Sequence, residues 1–118
     1  SNKILLMAEI PVSTNTADRM ALFKFIGGNT ADFYSGRAIG SRTPCQTAVY
    51  FDNADSTDML VVSMSLLDSP ATTSNFTYKI QTRTQGGGGI YLNRSVTDAN
   101  DATSGRFASS ITVMEIAQ

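Results

Sequence analysis

Asp52, Asp55 and Asp58 recur at intervals of three within residues 52–58, a stretch that also carries Asn53, Ser56 and Thr57. Hard oxygen donors of this kind suit calcium. Their spacing matches no established calcium-binding loop, and Asx side chains that bond nearby amides in a turn account for the same composition. Asp98, Asn100 and Asp101 repeat the theme more sparsely. The three-aspartate cluster is therefore kept as a weak calcium candidate beside a turn reading that takes precedence, and the chain is expected to hold no metal or cofactor.

The sequence has no histidine, which removes the usual general base near neutral pH and the commonest metal ligand. A glycosidase would need two carboxylates converging across a cleft, and short strands separated by turns give no such pairing. The expectation is a non-enzymatic protein. Gly86 to Gly89 lack the following Lys-Ser/Thr and helix of a phosphate-cradling loop and read as the tip of a hairpin. Cys45 is the one cysteine, without a Cys or His neighbour at metal or redox spacing, and reads as a small buried or half-buried apolar residue.

Aromatic rings and arginines beside loops are the side chains best suited to grip a sugar or a protein surface. Phe33, Tyr34, Arg37, Arg42 and Tyr91 fit that description and form the candidate receptor-binding set. For each, packing within the fold or between subunits is the simpler alternative.

These residues need elements to hold them. A chain of 118 residues fits one domain with a core of its own. Charged residues are 16% of the sequence, below the roughly 25% of an ordinary soluble domain. Ser, Thr, Asn and Gln supply the polarity instead, as on the neutral faces of strand-rich proteins. A net charge of −1 gives no field that would draw in a phosphate backbone, so nucleic acid is not an expected partner. No run of about 18 apolar residues is present, and no basic-then-apolar leader opens the sequence, so neither membrane insertion nor secretion is expected.

Period-two alternation predicts strands over residues 4–10, ended by Pro11, then 19–26, 46–51, 58–68, 75–85, 90–94 and 107–117, with a further short one near Phe33 and Tyr34. Residues 4–10 are apolar on both faces apart from Glu9, as in a central strand. Residues 75–85 alternate most cleanly, with Phe76, Tyr78 and Ile80 on one face and Thr77, Lys79, Gln81 and Arg83 on the other. With no competing helical period, the fold class is all-β, an antiparallel β-sandwich, with a jelly roll preferred over an immunoglobulin-like arrangement.

Residues 67–74 (LDSPATTS), 77–81 (TYKIQ), 91–95 (YLNRS) and 108–116 (ASSITVMEI) follow one another in an order that resembles a module at the C-termini of virion structural proteins from tailed bacteriophages of marine bacteria, cyanophages among them. The likeness is weak before Asp58 and strong after it. It implies a jelly roll of the tumour-necrosis-factor or C1q kind that assembles as a homotrimer, on the exterior of the phage particle, beside other virion proteins. It also implies that residues 1–118 are the C-terminal part of a longer virion protein. The expected function is the distal knob of a trimeric fibre that recognises a host-surface glycan or protein. The alternative is a purely structural capsid decoration or fibre-capping trimerisation module without receptor binding. A secreted cytokine-like or C1q-like ligand shares the fold but is disfavoured by the missing leader and disulfides.

Overall fold

The structure, a computed structural model, describes residues 2–27, 35–52 and 57–117. Seven strands occupy them: β1 (Lys3–Thr14), β2 (Arg19–Gly27), β3 (Thr47–Phe51), β4 (Leu60–Asp68), β5 (Tyr78–Thr84), β6 (Ile90–Leu92) and β7 (Ser110–Ile116). They form two antiparallel sheets, one with β1 between β4 on one side and β6 and β7 on the other, the second in the order β3-β2-β5. The all-β sandwich expected from the alternation is thus present, and the described residues contain no helix.

The core lies where the two middle strands face each other. β1 sends Leu6, Ala8, Ile10 and Val12 inward, β4 adds Val62, Met64 and Leu66, and β2 answers with Ala21, Phe23 and Phe25. Phe51 at the end of β3 completes it. Phe23 and Phe25 are the largest side chains fully enclosed, and truncating a ring in such a place costs about 3–5 kcal/mol. The outer face of β1 is different from the inner one. Leu5 is half-buried and Met7 exposed, although both stand in a strand with hydrogen-bonded neighbours on each side.

Pro11 does not end the first strand, contrary to the sequence expectation. β1 continues to Thr14, because Pro11 falls where the strand changes partner: β7 pairs it as far as Glu9, and β6 begins at Val12. The Pro11 carbonyl accepts from the Asn93 amide at 2.9 Å. The Asn93 carbonyl, which an ordinary residue at position 11 would have supplied with an N–H, accepts instead from the Phe107 amide at 2.8 Å. A missing donor is harmless at a place where another donor takes over. Past this point Val12, Ser13 and Thr14 are all buried. The hydroxyls are satisfied, Ser13 Oγ donating to the Arg94 carbonyl at 2.9 Å and Thr14 Oγ1 to the Gly89 carbonyl at 3.0 Å.

The glycine run is not a hairpin tip either. β5 pairs with β2 and β6 with β1, so Gly86 to Gly89 carry the chain from one sheet to the other. Gly86, Gly87 and Gly88 take φ of 80°, 89° and 98°, a region side chains avoid. Asn15 Oδ1 accepts from the Gly89 amide at 3.1 Å and holds the bend against the end of β1. The sequence shows the turn but not which partner each flanking strand will choose, since that is decided by long-range pairing. β5 itself starts at Tyr78 rather than residue 75, and β7 at Ser110 rather than 107.

Tyr78 ties the sheets together, its Oη donating to Asp68 Oδ2 at 2.7 Å. Burial, then this hydrogen bond and the Asp68 charge, push the phenol well above its ordinary value of 10.0. A raised folded-state pKa means that the contribution is present in full below about pH 10 and is lost as the pH climbs beyond it. Urea unfolding should therefore show stability falling above about pH 10. Tyr78→Phe should cost about 1–3 kcal/mol by depriving buried Asp68 of a donor, and should flatten that alkaline limb. At the crossing, a Cβ on residue 88 would stand 2.5 Å from Thr16 Oγ1, whereas one on residue 87 meets nothing within 4 Å. Gly87→Ala should cost about 1–2 kcal/mol, the left-handed penalty alone, and Gly88→Ala measurably more in the same assay.

Candidate functional site

Arg37 and Arg42 are both exposed on the excursion that returns the chain to β3. Its neck is closed by the Gly36 amide donating to the Cys45 carbonyl at 2.9 Å, and the next residue is anchored to β2 by the Gln46 amide on the Phe23 carbonyl at 2.9 Å. At the tip, the Arg42 amide reaches the Ile39 carbonyl at 3.3 Å across a turn in which Gly40 has φ of 60°. The result is an arginine on each side of an exposed Ile39. Cys45 at the neck is half-buried, as the sequence led us to expect. Phe33 and Tyr34, the aromatic members of the expected set and the site of the short additional strand, lie outside the described residues.

Tyr91 is elsewhere. It stands on β6, in the other sheet, with the Arg94 guanidinium 4.6 Å above its ring and its hydroxyl accepting from Asn15 Nδ2 at 3.4 Å. One face of the half-buried ring thus carries the Arg94 guanidinium. The neighbouring arginines define a cluster that the sequence reading missed. Asp98 accepts two hydrogen bonds from Arg106, at 2.7 Å from Nε and 2.6 Å from Nη2, and lies 3.6 Å from Arg94 Nη1. The Arg94 to Asp98 spacing of four was the available signal. Arg106 carried no local sign, because a long loop brings it back.

That loop, residues 93–109, is built from its own polar groups. Ser95 is buried, donates its Oγ to the Thr97 carbonyl at 2.6 Å, accepts there from the Gly105 amide at 3.0 Å, and gives its amide to the Gly105 carbonyl at 3.1 Å. Asp101 Oδ1 accepts from the Thr103 amide and hydroxyl and from the Ser104 amide. The Thr103 hydrogen bonds, with smaller help from Ser104, hold the Asp101 carboxyl below the usual carboxylate range. This is turn chemistry, as the composition of residues 98–101 suggested.

Asp52 and Asp58 are exposed and border one shallow depression with Tyr50, Phe51, Met59 and Leu60. Asp55 lies outside the described residues. Among the described residues, no three His, Cys, Asp or Glu side chains are grouped as a metal ion would need. A second hollow, on the outer face of the smaller sheet, is walled by Leu22, Lys24, Thr43, Gln81 and Arg83, with Arg83 Nη1 3.5 Å from Thr43 Oγ1.

No protein-family model, curated protein or solved structure matches the chain. The chemistry therefore has to be read from the geometry. The described residues present a loop carrying the exposed Arg37 and Arg42 beside the smaller sheet, and a polar loop beside the larger one in which Arg94 and Arg106 are held by Asp98.

Replacing Asp98 with Asn should free Arg94 and Arg106 from their shared partner. Because the cluster lies at the surface, with Arg106 mostly exposed and Arg94 and Asp98 about a third exposed, the stability change should stay near or below about 1 kcal/mol. Amide exchange across residues 96–104, followed by mass spectrometry, should quicken severalfold while the core strands are unaffected.

Proposed function

We propose that this chain is a non-enzymatic structural and binding module of a bacteriophage particle, a homotrimeric jelly-roll knob at the end of a fibre, carried on the virion exterior. The observation that carries the assembly half of the proposal is the outer face of the larger sheet. Register places Met114, Leu5 and Leu67 in one row across β7, β1 and β4, with Met7 and Ile116 in the adjacent rows and Val61 beside Pro11 farther along. Met7, Val61, Leu67, Met114 and Ile116 are all exposed. An apolar cluster around Leu5 and Met7, bordered on the same face by Ser65, Thr112 and the row of Ser110, Glu9 and Ser63, marks a surface that another protein covers, and closed symmetry among identical chains is the commonest way to cover it.

The strand order supports the jelly-roll reading. An eight-stranded jelly roll pairs its strands as 1-8-3-6 and 2-7-4-5. Taking β1 to β5 as its third to seventh strands, and β6 with β7 as its eighth, gives the neighbours seen here: β7 and β6 beside β1, β1 beside β4, β5 beside β2 and β2 beside β3. The resemblance of residues 67–116 to phage virion modules points the same way. Receptor contact is assigned to the loop of Arg37, Ile39 and Arg42, whose exposed guanidiniums and short apolar tip suit a host-surface glycan or protein. Several weak contacts made at once by symmetry-related copies would supply the strength.

Light scattering on the purified chain should give a mass near three protomers. Leu67→Lys, which puts an ammonium at the β4 end of the apolar row, should raise the dissociation constant at least about tenfold while circular dichroism stays that of a folded β protein. A wild-type chain that is a well-behaved monomer overturns the trimer. Host-cell or glycan binding lost in the Arg37→Ala, Arg42→Ala double variant supports recognition. A trimer whose binding is indifferent to those changes is instead the purely structural decoration or cap.

A further inference from the structure

Alternation gives the smaller sheet an inner face for the core and an outer face of a different kind. Phe23 and Phe25 point inward, so Leu22 and Lys24 stand on the outer side, where register pairs them with Arg83 and Gln81 of β5. Leu22 is nevertheless only 8% exposed. Pairing between β2 and β3 begins at Thr47, opposite Phe23, and the chain just ahead of it is anchored to β2 by the Gln46 amide on the Phe23 carbonyl. Thr43 and Pro44 thereby form a wall facing β5 across Leu22, around a hollow of about 300 Å³. That is the small end of the range for small-molecule sites.

The charge around this hollow is of one sign. Lys24 and Arg83 line it, and no aspartate or glutamate does among the described residues. The Arg83 guanidinium leans toward the opposite wall, with Nη1 3.5 Å from Thr43 Oγ1. That hydroxyl is its one side-chain partner among the described residues, so most of the five N–H donors of the group are left for a ligand. Lys79 is exposed in the same outward row of β5, and Arg37 and Arg42 are exposed on the loop that continues into the wall. Lys24, Arg37, Arg42, Lys79 and Arg83 are five of the nine cationic side chains of a protein whose net charge is −1, gathered on one sheet face and its loop. A recess bordered by one sign of charge concentrates ions of the other.

The donors also indicate the kind of anion. β2 and β5 satisfy each other's backbone here, so what the hollow offers is side chains: two cations, the Gln81 amide and the Thr43 hydroxyl, around Leu22 and Pro44. A bare phosphate is held instead by backbone amides in a nest or at a helix N-terminus. Mixed polar arms about a small apolar floor suit a ring that has a C–H face, several hydroxyls and one ionised group.

We propose that this hollow binds one acidic sugar residue, with its carboxylate or sulfate on Arg83 and Lys24, its ring over Leu22 and against Pro44, and its hydroxyls on Gln81 and Thr43. The inference rests on the recognition reading above and narrows it, since it names the class of glycan and seats the charged unit on the sheet rather than at the loop tip. It makes no use of the trimer.

Cys45, the one cysteine of the chain, lines the same hollow and reports on its occupancy. Alkylation by iodoacetamide, followed by mass spectrometry, should slow at least about threefold in glucuronic acid or in galactose 6-sulfate, the better of the two identifying the preferred anion. The half-effect should fall on the order of 1 mM for so small a ligand, and glucose should have no effect. Protection should weaken severalfold between about 0.05 M and about 0.5 M salt. Arg83→Ala should raise the half-effect concentration at least about tenfold, and Arg83→Lys, which keeps the charge but not the planar fork, should raise it less. Because Arg83 is exposed, circular dichroism of both variants should match the wild type. Equal protection by glucose or by inorganic sulfate, stronger protection by a single-stranded oligonucleotide, or no protection by either acidic sugar at about 50 mM would each overturn the proposal. If the Arg37→Ala, Arg42→Ala variant loses host-cell binding while the sugars leave Cys45 unprotected, the hollow alone is overturned. If the sugars protect Cys45 and no host cell is bound, the sugar site stands and host recognition falls.

Discussion

Nearly everything in this molecule depends on the hydrogen-bond ladders of β1. This single strand of 12 residues pairs with β4 along one edge and with β7 and then β6 along the other, while its inner face provides Leu6, Ala8, Ile10 and Val12 to the core. A one-residue slip would bring Leu5, Met7 and Glu9 inward and turn the present core residues out. The Pro11 arrangement fixes the point of hand-over, because only at the gap between two partners can the strand do without a donor. Register and partner choice are thus set by the same residue.

The strands were legible in the sequence wherever alternation and turn residues agreed. β2 and β4 were found to within a residue or two at each end, since Phe23 and Phe25, or Val62, Met64 and Leu66, repeat at period two between clear breaks. Pro11 misled because its usual meaning as a terminator assumes two occupied edges. The glycine run misled because a bend between two strands looks alike in the sequence whether those strands pair or part. Pairing is decided by contacts between residues far apart in the chain, and no local pattern encodes them.

Candidate side chains were less legible than the fold, for a similar reason. Arg37 and Arg42 were recognisable because they belong to one short loop. Tyr91 looked free, yet its face is taken by Arg94, three residues on, in a geometry that requires the chain to bend out of β6 at Asn93, whose φ is 63°. Arg106 could not have been placed at all before the return of residues 93–109 was known. The apolar surplus was visible as composition. Its place on the outer face of the larger sheet and along β7 emerges only from the register.

The neck of that return has a bearing on how the protein can change over generations. Its closure rests on backbone groups of Asn93, Ser95, Gly105 and Phe107 and on the Ser95 hydroxyl, all at the base, while residues 99–103 beyond them are exposed. Lengthening a loop that is already pinched shut adds little entropy, since the cost grows only with the logarithm of its size. The outer arc can therefore be rewritten or enlarged without disturbing the strands below.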